Sequence, residues 1–293
     1  MDQAEQLRNI VKLNNQAASR VARVITVTSG KGGVGKSNMS VNLALQLRKL
    51  GKSVIIFDAD FGLANVEVLF GAIPKYNLGD VIYNDKNIKE VITNGPLDIG
   101  FISGGTGIEG LANLNREQIH KLVKNLSELD SLADIIIIDT GAGISDSVLE
   151  FVMSGTEVIL VTTPEPTSIT DSYSLLKALN RSPGFSSSEI KIKVVVNRVS
   201  TQTEGKNLFS KLDVVVNRFL NLSIDYLGAI PQDESLLKAV MQQSPVSIKF
   251  PNSRASKAFA EIAGTLVRAE GSTTVVTKKG IAHLFSNFMS RRK

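Results

Sequence analysis

One stretch of the chain combines the residue types that bind a phosphate chain. The pattern G-x-x-x-x-G-K-[ST] occupies residues 30–37, which are Gly30, Lys31, Gly32, Gly33, Val34, Gly35, Lys36 and Ser37. In such a loop the glycines let backbone N–H groups approach the phosphates. Lys36 stands where a lysine reaches the β- and γ-phosphates, and Ser37 stands where a hydroxyl is a ligand of Mg²⁺. The alternative is a glycine-rich turn between a strand and a helix.

The residues on either side of this loop predict the elements that position it. Residues 23–29 form a β-branched run typical of a strand, and residues 37–50 carry apolar side chains at helical spacing. The loop therefore leads from a strand into the start of a helix. Backbone N–H groups and the positive end of the helix dipole favour an anion there.

Strands and helices alternate along the rest of the chain. Several strands are continuous apolar runs; the six further strands predicted cover residues 53–58, 98–102, 133–139, 157–162, 191–197 and 224–230. Such runs are typical of strands buried on both faces. We therefore predict the α/β class, with a mostly parallel sheet flanked by helices. Phosphate sites in these folds lie at the carboxyl ends of the strands.

Acidic residues stand at two of those strand ends. Asp139 closes the run 135–138, and Asp58 and Asp60 close the second strand. Beside a phosphate loop, an aspartate at the position of Asp139 holds Mg²⁺ through water, and the glycine-bearing segment that contains Gly143 could sense the γ-phosphate. The alternative for Asp139 is a strand-end aspartate that caps a helix.

Composition narrows the classes of protein. The chain has 293 residues, of which 43% are hydrophobic, so it can bury a sizeable core. The length suits one large α/β domain with appendages. It has no cysteine, which excludes disulfides and iron–sulfur clusters held by thiolates. No signal-like segment and no apolar run of about 18 residues is present, so a cytoplasmic location is expected.

The charge is unevenly distributed. The net charge is +5, and residues 278–293 carry five basic residues and no acidic one. The rest of the chain is therefore neutral in sum. A broadly basic surface for non-specific DNA binding is not expected, although a neutral sum leaves room for a local patch.

The extra lysine of the loop carries a family resemblance. The sequence GKGGVGKS resembles the deviant Walker A loop of the MinD/ParA family of ATPases. This resemblance implies that Lys31 crosses a dimer interface to the partner's ATP, whereas by position alone it is a solvated loop lysine. It also implies that the segment after the second strand is the first switch, with Asp60 orienting the attacking water and Asp58 supporting the Mg²⁺ site.

Recognition of the base also follows from the resemblance. Residues 194–198 (VVVNR) and 230–233 (IPQD) resemble the segments that close over adenine in MinD-like proteins. Asn197 is the candidate hydrogen-bond partner of adenine, with Pro231 and Asp233 beside it; the alternative for Asn197 is a strand-end turn residue. The sequence contains no guanine-specific N-K-x-D motif, and the resemblance implies ATP rather than GTP.

The C-terminal segment 279–293 has one apolar helical stripe. Its apolar residues recur at helical spacing; they are Ile281, Leu284, Phe285, Phe288 and Met289. With flanking basic residues and a linker at 271–278, this pattern predicts an interfacial helix on an anionic membrane surface. The alternative is a terminal helix docked on the domain.

The N-terminal extension 1–22 precedes the ATPase domain at 23–270. Its segment with Gln3, Leu7 and Arg8 resembles the activator segment of the flagellar-number regulators of the FlhG (FleN/YlxH) branch. That resemblance implies stimulation of a signal-recognition-particle-type GTPase, FlhF. The alternative is a disordered start or a short capping helix.

Together these features predict an ATP-dependent homodimer on the inner face of the cell membrane that regulates flagellar number or placement. The resemblance leaves room for a transcriptional regulator as a further partner, and no direct nucleic-acid binding is expected. The alternatives are a ParA- or MinD-type partitioning or division-site ATPase, or a metabolic P-loop enzyme, for which no second substrate site is visible in the sequence.

Overall fold

The apolar runs of the sequence come together in one mixed sheet. The computed structural model describes residues 21–61, 65–105, 116–183, 185–272 and 281. The strands are β1 (Arg23–Thr28), β2 (Val54–Ala59), β3 (Thr93–Asn94), β4 (Gly100–Ile102), β5 (Ile135–Thr140), β6 (Glu157–Thr162), β7 (Lys191–Val199) and β8 (Asp225–Pro231). Their order is β3-β4-β2-β5-β1-β6-β7-β8. All neighbours are parallel except β3 and β4.

Helices connect these strands and cover both faces of the sheet. In chain order they are α1 (Lys36–Lys49), α2 (Asn65–Phe70), α3 (Leu78–Tyr83), α4 (Ile88–Val91), α5 (Arg116–Leu132), α6 (Asp146–Ser154), α7 (Pro166–Arg181), α8 (Gln202–Leu220), α9 (Glu234–Met241), α10 (Val246–Lys249) and α11 (Arg254–Ser272). A short 3₁₀ turn lies at Pro96–Asp98. Among the described residues, no helix is long and apolar enough to cross a bilayer.

Strand β5 explains why the layers form. All of its residues are buried, and successive side chains point to opposite faces. Ile135 and Ile137 join a cluster with α1 and α11, whereas Ile136 and Ile138 join a cluster with α3 and α5. A third cluster packs α6, α7 and α8 against β6 and β7. The result is an α/β/α sandwich whose central strands contact protein on both sides.

The fold confirms the predicted class and each predicted strand. Strand β3 was not predicted, because a two-residue antiparallel edge strand has no apolar pattern. The predicted domain boundaries stay a prediction, and two observations bear on where the elements near them begin and end. Ala22, assigned to the extension, is buried in the core, and α11 runs to Ser272, two residues past the predicted end of the ATPase domain at residue 270. Glycine and serine weaken a helix end without fixing its last residue.

One residue of the C-terminal stripe lies inside the described part of the chain. Ile281 is fully buried in the cluster formed with α3 and α5, and its backbone N–H donates to Asp130 Oδ1 at 3.0 Å. This is the contact that the docked-helix alternative predicts at this position. The four other stripe residues lie outside the described residues, as do Gln3, Leu7 and Arg8.

A buried ion-pair network ties the amino ends of the central strands together. Arg23 of β1 donates two hydrogen bonds to Glu157 of β6, both at 2.8 Å, and Lys193 of β7 donates to the same carboxylate. Arg23 also donates to the Leu266 carbonyl of α11. Burial alone would raise the pKa of Glu157, but the hydrogen bonds and charges of Arg23 and Lys193 lower it.

Replacing Glu157 by glutamine is expected to destabilise the fold, because two largely buried cations lose their anion. We expect a loss of about 3 kcal/mol at pH 7. A pKa that is lower in the folded state gives stabilisation that is present at neutral pH and lost as pH falls through the folded-state value. The difference in stability between wild type and Glu157→Gln should therefore shrink in acid.

Urea unfolding between pH 7 and pH 3 measures this difference. Glu261→Gln, a change at an exposed position of α11, is the matched control and should leave stability nearly unchanged. A difference between wild type and Glu157→Gln that stays constant or grows in acid would contradict the assigned role of the network.

Candidate active site

The phosphate-loop sequence lies between β1 and the first turn of α1. Gly35 is the N-cap of α1, with φ 100° and ψ 25°, a left-handed conformation that favours glycine. Glycine has no side chain with which to cap the helix, so the first N–H groups of α1 remain available to an anion. Gly30 is required for another reason: a Cβ there would lie 2.1 Å from the carbonyl oxygen of Asp171. Close packing of Gly30 against the backbone of α7 thus fixes the position of the start of the loop.

Two carboxylates face each other across neighbouring strands at this end of the sheet. Asp58 of β2 is paired in register with Asp139 of β5, and both side chains are buried. Asp139 Oδ1 accepts a hydrogen bond from Ser40 at 2.9 Å, while its Oδ2 is buried with no partner among the described residues. Asp58 accepts from the backbone N–H groups of Asp60 and Val66.

Burial raises the pKa values of both carboxyl groups of this pair, and neighbouring charges add to the effect. Desolvation, followed by the charge of Asp139, raises the pKa of Asp58 to about 8. Desolvation also raises the pKa of Asp139 to about 6, against the opposing effects of Ser37, Ser40 and Lys36. Two carboxylates crowded together in this way would be stabilised as anions by a cation between or beside them.

The donor set fits magnesium. Ser37, Asp58 and Asp139 present only oxygen atoms, which Mg²⁺ prefers, and the unpartnered Oδ2 of Asp139 is the kind of atom that a bound cation or its water satisfies. Among the described residues, no three His, Cys, Asp or Glu side chains form a cage for a metal by themselves. Mg²⁺ is usually held by one or two protein groups together with phosphate oxygens and water, so this arrangement suits it.

Lys36 and Asp60 lie near the same carboxylates. Lys36 is 8% exposed; desolvation lowers its pKa, while the charges of Asp139 and Asp60 oppose that effect. Asp60 accepts from Asn65 Nδ2 at 3.4 Å, and its carboxylate lies 3.9 Å from the position of a Cβ on Gly141. The structure therefore brings the predicted lysine and the predicted water-orienting aspartate to the same end of the sheet.

Lys31 contacts a different part of the chain. Its Nζ donates to Glu165 Oε2 and to Thr167 Oγ1, each at 2.8 Å, and its side chain is 35% exposed. Glu165 is the N-cap position of α7. These contacts hold the lysine at the surface beside the phosphate loop rather than over it. Its predicted reach to a partner's nucleotide stays a prediction.

The glycine-bearing segment after β5 is attached to the phosphate loop. The N–H of Gly143 donates to the carbonyl of Ser29 at 3.0 Å, and Gly143 has φ 95°. A Cβ on Gly32 would lie 3.9 Å from the Cβ of Ala142. Ile144, the next residue, is half exposed. Gly143 must exchange its present hydrogen bond if its N–H is to sense a γ-phosphate.

The residues predicted to bind adenine have partners of their own. Asn197 donates to the Val34 carbonyl at 2.8 Å. Asp233 accepts from the backbone N–H groups of Ser235 and Ala255, so its carboxylate caps α9 and α11. Both carboxylate oxygens of Asp233 therefore have backbone partners, and the place of Asp233 in a segment beside the base stays a prediction. Its structural effect is to hold the turn after Pro231 in place.

Sequence reasoning missed three residues around the loop. Glu165 and Thr167 contact Lys31, and Arg198 donates from Nη2 to the Gly33 carbonyl at 2.7 Å. These contacts join residues more than 130 positions apart in the chain. The only local signal was that Arg198 directly follows Asn197 in the predicted base-binding segment.

Comparisons with known proteins show the family of this chain. The ParA family model described as "NUBPL iron-transfer P-loop NTPase" matches residues 20–267. The antiactivator FleN of Pseudomonas aeruginosa is 45% identical over 82% of this chain and 85% of its own length. The flagellum site-determining protein YlxH of Helicobacter pylori is 34% identical over 98% of both chains.

A solved structure shares the fold. The septum site-determining protein MinD of Pyrococcus horikoshii, complexed with Mg-ADP, aligns with a TM-score of 0.67 and 23% identity, over 85% of this chain and 98% of that one. The chain that carries this phosphate loop and these strand-end carboxylates therefore matches known proteins over most of its length. The protein belongs to the ParA/MinD family of P-loop ATPases, which use ATP and Mg²⁺.

Proposed function

We propose that this protein is an ATP-dependent dimerising switch that associates with the inner membrane surface and regulates flagellar number or placement. The observation that carries the flagellar part is the match to YlxH over nearly the full length of both chains, together with the 45% identity to FleN. YlxH is named for determining the site of the flagellum, and FleN is named as an antiactivator. The 45% identity to FleN exceeds the 31% identity to the septum site-determining protein MinD of Thermotoga maritima, which gives the division-site alternative less weight.

Dimerisation in the ATP state is supported by where Lys31 lies. The lysine is partly exposed beside the phosphate loop, so a second copy facing the loop would come within its reach. Its partners Glu165 and Thr167 are also near the surface, and exposed ion pairs contribute little to stability, so Lys31 can exchange them at low cost. A second subunit would receive the same lysine in return, as a two-fold interface requires.

Membrane association rests on the C-terminal stripe. One amphipathic helix binds weakly and reversibly, so two helices presented by one dimer would bind far more tightly by avidity. ATP would thereby control membrane residence through the oligomeric state. Ile281 is buried against the domain, so contact of this residue with lipid requires that it first leave the site beside Asp130.

The membrane proposal predicts a loss of binding in Phe285→Glu. A charge on the apolar stripe opposes insertion, so sedimentation with anionic liposomes in ATP should fall severalfold relative to wild type. Phe285→Leu keeps an apolar side chain and is the matched control. Wild type should sediment more in ATP than in ADP, and less at high salt. Equal sedimentation of wild type and Phe285→Glu in ATP would favour a helix that stays docked. Sedimentation of the wild-type protein with DNA instead of liposomes would favour a ParA-type role.

The hypothesis for the N-terminal segment is that it stimulates a GTPase partner. A peptide of residues 1–21 should stimulate an FlhF-type GTPase without the ATPase domain, and Gln3→Ala with Leu7→Ala should abolish that stimulation. Asn14→Ala with Asn15→Ala in the same peptide is the control. In the full chain, the first pair of substitutions should leave ATP hydrolysis unchanged. A peptide that gives no stimulation would remove this partner from the proposal and favour a MinD-like or ParA-like regulator.

A further inference from the structure

Two consecutive residues near the end of β7 hold two consecutive carbonyl groups of the phosphate loop. Asn197 Nδ2 donates to the carbonyl oxygen of Val34 at 2.8 Å, and Arg198 Nη2 donates to the carbonyl oxygen of Gly33 at 2.7 Å. Both bonds join parts of the chain about 160 positions apart. They are the direct link between the base-binding segment predicted from the sequence and the loop that receives the phosphates.

These two hydrogen bonds also fix the direction of two backbone N–H groups of the loop, because of the geometry of the peptide bond. A trans peptide is planar, and its C=O and N–H groups point in opposite directions. The described residues contain no cis peptide. Holding the carbonyls of Gly33 and Val34 toward β7 therefore directs the N–H groups of Val34 and Gly35 away from β7. Backbone N–H groups with a common orientation form the anion-binding concavity of a phosphate loop.

We propose that Asn197 and Arg198 are positioning residues for phosphate binding. They act through the loop backbone, fixing the orientation of the Val34 and Gly35 N–H groups before a nucleotide arrives. The sequence-based hypothesis gave Asn197 a contact with the base. The structure assigns both residues a role toward the phosphate chain that does not depend on the base, on dimerisation or on a membrane.

The surroundings of Asn197 fix its orientation. Its side chain is 4% exposed, and its Oδ1 accepts the backbone N–H of Arg198 at 2.9 Å, so the Nδ2 group is the one that faces Val34. A Cβ on Gly35 would lie 2.4 Å from this nitrogen, which places the amide directly against the N-cap of α1. An alanine or leucine at 197 would leave the Val34 carbonyl without its donor.

The backbone of Arg198 is strained where it reaches the loop. Its φ is 60°, a left-handed conformation that is unfavourable for a residue with a side chain. The guanidinium is anchored at Gly33 and also lies 3.8 Å from Glu165 Oε1. Strained residues persist where surrounding contacts hold them, often at ligand sites. A glycine at 198 would relieve the strain and remove the donor at the same time.

Inorganic pyrophosphate separates this role from recognition of the base, because pyrophosphate has no base. We expect Arg198→Gly and Asn197→Ala each to weaken binding of magnesium pyrophosphate and of ADP to the full-length chain by a similar factor, about tenfold, measured by calorimetry. The ratio of ADP to IDP affinity should not change in either variant. Arg198→Lys, which keeps one donor, should recover part of the affinity.

Thermal melting distinguishes positioning from general stability. Arg198→Gly should melt no lower than wild type, because glycine accepts the left-handed conformation. Arg181→Ala, which removes an exposed guanidinium at the far end of α7, is the matched control for charge and should leave pyrophosphate affinity unchanged. Unchanged pyrophosphate affinity in both Arg198→Gly and Asn197→Ala would overturn the proposal. So would a loss confined to ADP with a changed ADP to IDP ratio, which would return Asn197 to the base.

Discussion

Asp60→Ala is expected to bind ATP with nearly wild-type affinity and to hydrolyse it at least about 100-fold more slowly. The phosphate loop lies on a different element and does not depend on the Asp60 side chain, so the binding groups remain in place. What is lost is the carboxylate that would orient the attacking water. Hydrolysis of ATP by P-loop enzymes depends on such positioning.

The contacts of Asp60 support its proposed role. Asp58 lies in β2 and accepts the N–H groups of Asp60 and Val66, so a buried carboxylate fixes the turn that carries Asp60. Asn65 donates to Asp60 Oδ2, and Gly141 leaves room beside the carboxylate. Asp60 is thus held at the edge of the site by groups that an alanine at 60 does not disturb.

Single-turnover hydrolysis and nucleotide affinity, measured on the same preparation, test this prediction. Asp225→Ala changes an exposed aspartate at the start of β8, at the opposite end of the sheet, and should turn over ATP like wild type. If the proposed ATP dimer forms, it should persist longer in Asp60→Ala, because slow ATP hydrolysis delays its dissociation. Turnover at the wild-type rate in Asp60→Ala would exclude Asp60 from the mechanism.

The phosphate loop and the strand-end aspartates could be predicted because their signals are local. The loop is a run of consecutive residues, and Asp139 directly follows an apolar run that has to be a buried strand. Parallel strands bring their carboxyl ends to one edge, which is why Asp58 and Asp139, both assigned to the Mg²⁺ site, are neighbours in the structure. Patterns of this kind lie within one or two neighbouring elements of the chain, so they can be recognised without knowing how distant elements pack.

The contacts around the loop could not be predicted because they depend on packing between distant elements. Glu165 meets Lys31 only because α7 packs beneath the loop, where Gly30 approaches Asp171. Arg198 reaches Gly33 through a left-handed backbone conformation that its residue type does not favour. Likewise the stripe containing Ile281 gave an apolar face, but the helical period does not say whether that face meets protein or lipid.

Lys36→Ala and Lys31→Ala are expected to fail in different ways, although both remove a lysine from the same loop. Lys36 is the first residue of α1, is largely buried and lies near the charges of Asp139 and Asp60. Its ammonium group is directed into the site of its own chain. Loss of this charge-assisted contact should weaken ATP binding by about tenfold to a hundredfold.

Lys31 is held outside that site, by Glu165 and Thr167. Its removal should therefore leave the ATP affinity of a single subunit close to wild type. If Lys31 serves the nucleotide of a second copy, Lys31→Ala should abolish the ATP-dependent dimer, because each of the two sites loses its contact from the partner. Lys206→Ala, on the exposed face of α8, removes the same charge and should do neither.

Calorimetry on dilute protein and light scattering on concentrated protein, each with a non-hydrolysable ATP analogue, separate the two functions. The expected pattern is weak nucleotide binding in Lys36→Ala, and normal binding without dimers in Lys31→Ala. Equal losses of nucleotide affinity in both variants would place Lys31 in its own site and contradict the division of roles. Normal binding with intact dimers in Lys31→Ala would show that the contacts with Glu165 and Thr167 are the whole role of this lysine.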